Sequence, residues 1–294
     1  MNKHVVWLGV ALVAFAAGCS SSEGPSEEVV SAPVVEEGSF QESALGSPPA
    51  AVAIRASGSF DARVALSAER LAGLLGEPEL VVSEAPSGAL HAESARVVVE
   101  ADPAEGRFLV LYKDEALAAE PPASRVEDAA LEARSRELLR GLGVPEAELG
   151  RVTQTAVLAE SAGENGAPGA PVVHSYKTFV ERSVNGVVVL GSRFVLSYDT
   201  AGRLRRVLGT WPTLASTGHQ AGTSLPLATV EARVTDRLAS SGLSGRAVRT
   251  RYVYVPVANA DGTVALQLHA EARVPADRSG GRASSPQAVL VALD

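Results

Sequence analysis

The chain has 294 residues, a formal net charge of −8 at pH 7 and an aromatic content of 4%. The negative charge argues against nucleic-acid binding, which depends on clustered positive charge. The few aromatic residues disfavour stacking platforms for bases or sugars. Cys19 is the one cysteine of the sequence. Residues 20–294 therefore have no disulfide, thiolate nucleophile or cysteine-bound metal, and their stability must come from a packed core.

The first eighteen residues have the organisation of a secretory signal. Lys3 precedes an apolar run from Val5 to Ala17, and small residues stand directly before Cys19. As a helix the run is about 20 Å long, shorter than the hydrocarbon core of roughly 30 Å, which disfavours a membrane span. Residues 16–19, Ala-Ala-Gly-Cys, resemble the lipobox of bacterial lipoproteins. The resemblance implies that Cys19 is lipidated and begins the mature protein; the alternatives are an ordinary secretory signal and a membrane anchor.

Residues 19–50 are predicted to form a flexible spacer behind this anchor. The stretch is rich in Ser, Glu, Pro and Gly, and it has too few large apolar residues to offset the entropy cost of ordering. In bacterial lipoproteins an aspartate after the lipidated cysteine commonly marks retention in the inner membrane. Here Ser20 occupies that position. The resemblance therefore favours a lipid-anchored cell-envelope protein of the outer membrane, with either the periplasmic or the surface side open.

Residues 51–120 are predicted to form an N-terminal α+β module. A helix is expected over 67–75, because its leucines follow helical spacing and Gly76 can close it. Two strands are expected over 97–99 and 108–112, and the loop between them has hairpin chemistry. This module is predicted to end at a Pro-containing break.

Residues 121–214 are predicted to form a second module. Its expected elements are a helix over 126–142 and strands over 172–184, 187–198 and 203–211. Asn185-Gly186 predicts a tight hairpin, because both residues tolerate the positive φ of a type I′ turn. The return strand is expected to present every second residue from Val188 to Tyr198 on one face.

Residues 215–294 repeat this order and are predicted to form a third module. The expected elements are a helix over 225–240 and strands over 248–257, 264–274 and 288–293. In strand 264–274 apolar and polar residues alternate, so one face should pack while the other meets water. The polar side chains, which form a possible interaction face, are Gln267, His269, Glu271 and Arg273. One helix followed by an antiparallel meander predicts an α+β fold in which a helix is packed on one sheet face.

Residues 176–211 carry a family resemblance. Their turns and strand glycines resemble the propeptide of thermolysin- and fungalysin-type metalloproteases, and the third module is similar to the PepSY-type domain that follows in those propeptides. The matching residues are Asn185, Gly186, Val189, Gly191, Asp199, Gly202 and Gly209. The resemblance covers about residues 125–275. It implies the propeptide fold and a protein-binding role.

No motif for catalysis or for a cofactor is present in the sequence. The His-Glu-x-x-His zinc motif, the Gly-x-Ser-x-Gly elbow and the phosphate-binding glycine loops are missing. The histidines after the signal, His91, His174, His219 and His269, lie too far apart in sequence for a local metal motif. We therefore expect a protein without metal or cofactor that is not an enzyme. Arg203, Arg205 and Arg206 form either a solvated strand face or a small patch for an anionic partner.

Two functional hypotheses follow. In the first, the chain is a non-catalytic interaction lipoprotein of the cell envelope that contacts the membrane through Cys19. In the second, which rests on the propeptide resemblance, it acts in trans as an inhibitor or folding chaperone of a secreted thermolysin-like metalloprotease. A small-ligand carrier is a third option, although the sequence does not mark an apolar pocket.

Overall fold

An eleven-stranded mixed β-sheet is the largest structural unit of the part of the chain that the structure describes. The computed structural model describes residues 45–46, 48–49, 52–53, 60–113, 125–159, 169, 171–215, 220–221, 225–245, 248–261, 263–275 and 287–293. All of these residues lie in the larger of two compact units of the chain, Ala32–Asp294. The predicted signal, Cys19 and most of the predicted spacer lie outside the described residues. None of the described helices is long and apolar enough to cross a membrane.

The described elements comprise four α-helices, a short 3₁₀ helix and thirteen strands. The helices are α1 (Ala62–Ala65), α2 (Ala68–Leu75), α3 (Asp128–Gly141) and α4 (Leu227–Ser240), and the 3₁₀ helix is Glu146–Glu148. The strands are β1 (Val52–Ala53), β2 (Val81–Glu84), β3 (Leu90–Glu93), β4 (Val97–Asp102), β5 (Arg107–Tyr112), β6 (Leu149–Ala159), β7 (Val172–Val184), β8 (Val187–Tyr198), β9 (Leu204–Thr210), β10 (Gln220–Ala221), β11 (Arg249–Ala258), β12 (Val264–Val274) and β13 (Gln287–Ala292).

Strand β8 connects the two parts of the sheet. Along one edge it pairs with β7, which in turn pairs with β6. Along the other edge, residues 193–198 pair antiparallel with β9, and Val188–Val189 pair parallel with β11. The sheet continues from β9 through β5, β4 and β3 to β2, and from β11 through β12 to β13. Gly191, with φ of 76°, lies between the two paired stretches of β8.

The predicted α+β fold, with a helix packed on separate antiparallel meanders, is wrong. The hairpins join into one large mixed sheet, and fewer of the described residues lie in helices than in strands. Pairing between distant segments causes the difference: β5 pairs with β9, and β8 pairs in parallel with β11. Local periodicity indicates each hairpin but carries no signal for which hairpins pair with each other.

Two hydrophobic cores lie against this sheet. In the first, apolar residues of α2 and α3, such as Leu71 and Leu139, pack with Phe108, Phe194 and Trp211. This core takes residues from both of the first two predicted modules, 51–120 and 121–214. In the second core, α4 packs its apolar stripe on β12 and β13, and Tyr254 of β11 belongs to the same cluster. Its central members are Val230, Val234, Leu238, Tyr254, Leu266, Leu268 and Ala270.

Most predicted elements are confirmed by the structure, often to within one or two residues. β7 and β12 match their predicted bounds, and Asn185 and Gly186 adopt positive φ of 51° and 78° in the turn. The uniform alternation expected for β8 is wrong before Gly191: Val189 is buried, and burial resumes at Ser192 on the other parity. A break in the β7–β8 register causes this change, because β8 holds extra residues there.

Strands β2, β3 and β6 and the short helix α1 were not anticipated from the sequence. β2 and β3 have only four residues each, and β2 has no buried position. β6 is long, but two register irregularities against β7 interrupt its pattern. Short or irregular strands lack the repeated period on which a prediction from one sequence depends.

Candidate interaction surface

One face of the sheet is open to solvent across β4, β5 and β9. On these strands the alternate residues Val99, Phe108, Val110 and Val207 are buried in the first core, to which α2 and α3 also contribute. The residues between them point to the opposite face, because successive side chains alternate across a strand. No described helix packs on this opposite face. We call it the open face.

An apolar row crosses the open face from strand to strand. In the observed registers Leu109 is directly opposite Leu208, Leu208 opposite Val195, and Val195 opposite Phe179. Directly opposed residues share a face and contact one another, so these four side chains form a continuous row, here called the apolar row. Leu208 is 45% exposed, and the other three are half-buried. Contiguous, partly exposed apolar residues of this kind are typical of surfaces that bind a partner.

A groove of about 630 Å³ lies at one end of the apolar row. Its walls come from β3, β4, β5, β9 and the turn after β2. The apolar lining residues are Ala85, Ala89, Leu90, Ala101, Phe108, Leu109 and Leu208. Of these, Leu109 and Leu208 lie on the open face, whereas Leu90, Ala101 and Phe108 are opposed to one another on the core face of the same strands. The volume lies within the range of roughly 300–1,000 Å³ that is usual for ligand-binding clefts.

Carboxylates dominate the charge at this groove. Glu84, Glu100 and Asp102 line it, whereas Arg107 is the only Lys or Arg among its lining residues. Arg107 is itself paired with Glu105, at 2.6 Å between Nη2 and Oε2. Asp102 also accepts backbone hydrogen bonds that fix the β4–β5 turn. The groove thus combines an apolar floor with an acidic rim.

The sequence contains a local signal for the apolar row. β5 has an uninterrupted apolar run from Phe108 to Leu111, and β9 has Val207 next to Leu208. A strand that is solvated on one face shows alternation, so consecutive apolar residues indicate that both faces are apolar. What the sequence cannot show is that β5 and β9 are neighbours.

The predicted interaction face on β12 is only partly exposed. Gln267 is exposed, whereas His269 and Arg273 are half-buried and Glu271 retains 3% exposure. Glu271 accepts a hydrogen bond from Arg251 Nε at 2.5 Å and one from Arg273 Nε at 2.9 Å. β12 pairs with β11, which places Arg251 directly opposite Glu271. Glu271 is thus engaged within the protein. The apolar face of β12, in contrast, is confirmed as core.

The three arginines at the start of β9 do not form a free cationic patch. Asp199 Oδ2 accepts from Arg203 Nε at 2.7 Å and from Arg205 Nη2 at 2.7 Å. Asp199 Oδ1 also accepts backbone hydrogen bonds from Ala201 and Arg203, which holds the β8–β9 turn. Two of the three positive charges therefore stabilise this turn, and Arg206 lies exposed on the open face.

A buried charged cluster stands where the β7–β8 register breaks. Arg182 has no solvent exposure, and its Nε donates to Glu148 Oε2 at 2.9 Å while Nη1 donates to the Pro212 carbonyl at 2.6 Å. Trp211 Nε1 donates to the same Glu148 oxygen at 3.1 Å, and the guanidinium lies 5.1 Å from the Trp211 ring centre. The side chains of Arg182, Glu148 and Trp211 contact one another inside the protein. We therefore assign this cluster a structural role at the centre of the sheet.

The described histidines are separate from one another. His91 lies 3.9 Å from Glu93, which also pairs with Lys113, and this ammonium lowers the pKa of the Glu93 carboxyl. His174 is exposed on β7 and His269 lies on β12, while His219 falls outside the described residues. Within the part of the chain that the structure describes, no group of three His, Cys, Asp or Glu side chains could hold a metal ion.

Comparison of the sequence with models of known protein families and with curated proteins gives no match. The similarity of residues 125–275 to protease propeptides therefore stays a prediction. The open face is the surface whose geometry best fits an interaction role.

Proposed function

We propose that this chain is a non-catalytic protein of the cell envelope, tethered through a lipid on Cys19, that binds a protein partner with the open face. The observation that carries the proposal is the apolar row of Leu109, Leu208, Val195 and Phe179, which lies on a sheet face without a described helix over it. Burial of apolar area is the main source of free energy in protein association. Leaving nearly half of the Leu208 side chain in water costs free energy that contact with a partner would recover.

The flanking residues support a protein partner. Charged and polar side chains border the apolar row, including Glu100, Arg193, Arg206 and Lys177. An apolar centre with a polar rim is the usual organisation of a protein–protein interface. The sequence motifs for zinc, phosphate and nucleophile chemistry are missing, which supports a binding role over a catalytic one.

The tether and the binding surface are tested separately. Replacement of Cys19 by Ser should move the protein from the washed membrane fraction to the soluble envelope fraction, because lipid anchoring depends on that thiol. If the variant stays in the membrane fraction after a high-salt wash, lipid anchoring through Cys19 is contradicted.

For the binding surface, the tagged full-length protein and its Leu208→Glu variant are captured in parallel from native cells. We expect a defined partner that is recovered with the unmodified protein and lost with the variant. Identical recovery in both captures would contradict a role for the open face. Recovery of a secreted metalloprotease whose activity changes when the protein is added would select the inhibitor or chaperone alternative.

A further inference from the structure

We infer that the groove at the end of the open face binds an extended segment of the partner that carries basic side chains beside apolar ones. This inference rests on the proposed function and specifies the chemistry of the partner. Leu109 and Leu208 supply an apolar floor on β5 and β9, while Glu100 and Asp102 on β4 supply carboxylates on the same face.

The dimensions of the groove match a short extended segment. It spans the four adjacent strands β3, β4, β5 and β9. With neighbouring strands about 4.8 Å apart, the three intervals amount to roughly 14 Å, which an extended chain covers in about four or five residues. An extended segment also alternates its side chains, so apolar residues can face Leu109 and Leu208 while the intervening residues face the rim.

Charge selects among the possible occupants. Glu100 lies exposed in the centre of β4, directly opposite Leu109 on one side and His91 on the other. Arg107, the one strong cation of the lining, is already paired with Glu105. An anionic ligand such as a fatty acid or an acidic peptide would lie beside the Glu100 and Asp102 carboxylates here. A Lys or Arg side chain would instead find a carboxylate at the edge of an apolar contact, an arrangement that favours specific association.

The test uses the mature chain with Cys19→Ser and two matched, end-blocked octapeptides, one of alternating Leu and Lys and one of alternating Leu and Glu. Fluorescence anisotropy gives the dissociation constant of each labelled peptide. A dansylated fatty acid serves as the third probe. We expect the Leu-Lys peptide to bind at least about tenfold more tightly than the Leu-Glu peptide, with an affinity that falls as salt is added.

Two pairs of variants locate the binding. Glu100→Lys should weaken the Leu-Lys peptide by about fivefold or more, whereas Glu69→Lys, an equal charge change on the exposed surface of α2, should not. Leu208→Thr should weaken it as well, whereas Val64→Thr, at an exposed apolar position on α1, should not. Both members of each pair change exposed positions, so unfolding is not expected, and thermal melts verify this.

Equal affinity for the two peptides, tighter binding of the Leu-Glu peptide or no binding of either would overturn the inference. Binding of the fatty acid alone would also overturn it and would favour a lipid. These outcomes leave the proposed function intact as long as a partner is still lost from the Leu208→Glu capture. Recovery of the same partner with the unmodified protein and with Leu208→Glu, in contrast, would contradict the proposed function itself.

Discussion

Arg182 and Glu148 form a buried ion pair at the point where the β7–β8 register breaks, with Nη2 2.7 Å from Oε2. Burial lowers the pKa of Arg182, and the Glu148 carboxylate opposes this effect. Glu148 also accepts the indole hydrogen of Trp211, which stacks on Phe194 at a ring distance of 5.2 Å. The pair thereby connects the 3₁₀ helix, the irregular part of β7 and the end of β9.

We expect this pair to be strongly coupled. Arg182→Met alone should lower the free energy of unfolding by about 3–5 kcal/mol, because it leaves the Glu148 charge buried without its partner. Glu148→Gln alone should also lower the free energy of unfolding, because it leaves the Arg182 charge buried without its partner. The glutamine still provides an acceptor for Trp211. The double variant should lose clearly less than the sum of the single losses. Urea unfolding of all four proteins checks this, and strictly additive losses would contradict the coupling.

The Asn185-Gly186 turn should set the register of β7 against β8. Both residues have positive φ, which β-branched side chains adopt only with strain. Asn185→Val combined with Gly186→Val should therefore cost about 1–3 kcal/mol of stability. Asn185→Gly is the matched control and should be nearly neutral, because glycine accepts the same backbone angles. A melting curve that the double valine variant leaves unchanged would show that the turn does not determine the hairpin.

Much of the chain could be predicted from local pattern, and the sheet as a whole could not. Asn185-Gly186 and the alternation of β12 lie within one hairpin or one strand, where the period of side chains and the turn chemistry are sufficient. The contacts of β5 with β9 and of β8 with β11 join segments that are far apart in the sequence. A single sequence contains no signal for such pairings.

The candidate site was missed for the same reason. Leu109 and Leu208 become neighbours only through the β5–β9 pairing. The alternation of β12 is visible locally and indicates its polar face as a candidate surface, but Glu271 is buried between arginines of β11 and β12.

Gly209 is expected to be intolerant of any side chain. A Cβ on this residue would overlap the ring of Phe194, the residue directly opposite on β8. Gly209→Ala should lower stability by about 1–3 kcal/mol through overpacking. Gly73→Ala is the matched control, since a Cβ there has no neighbour within 4 Å and the position lies inside α2. That control should raise stability by about 0.5–1 kcal/mol. Equal effects in thermal unfolding would contradict the packing described for Gly209.

Tyr254 should limit stability at alkaline pH. Its hydroxyl is buried without a hydrogen-bond partner among the described residues, and burial raises the pKa of the phenol above its ordinary value of 10.0. The folded state therefore favours the neutral phenol. The contribution of the neutral phenol to the free energy of unfolding is fully present below pH 10.0. It is lost as the pH rises further, because Tyr254 ionises in the unfolded chain at a lower pH than in the folded protein.

Tyr254→Phe should accordingly leave stability at neutral pH unchanged or raise it by up to about 1 kcal/mol, and it should reduce the loss above pH 10.0. Tyr198→Phe is the contrast, because the Tyr198 hydroxyl lies 2.7 Å from Ser135 Oγ. That variant should lose about 1 kcal/mol at neutral pH. Urea unfolding at neutral pH and above pH 10.0 measures the free energy of unfolding of both variants. A substantial loss at neutral pH for Tyr254→Phe would indicate that its hydroxyl has a partner.

Site-specific photo-crosslinking in living cells tests most directly whether the open face is the interaction surface. A benzophenone side chain is placed at Leu208 on the open face, and at Val64 on α1 as a control of comparable exposure and polarity. We predict a discrete crosslinked protein product from the Leu208 position, reduced when Glu100→Lys is added, and no such product from Val64. Products of equal yield from both positions, or a product from Val64 alone, would contradict the assignment of the open face.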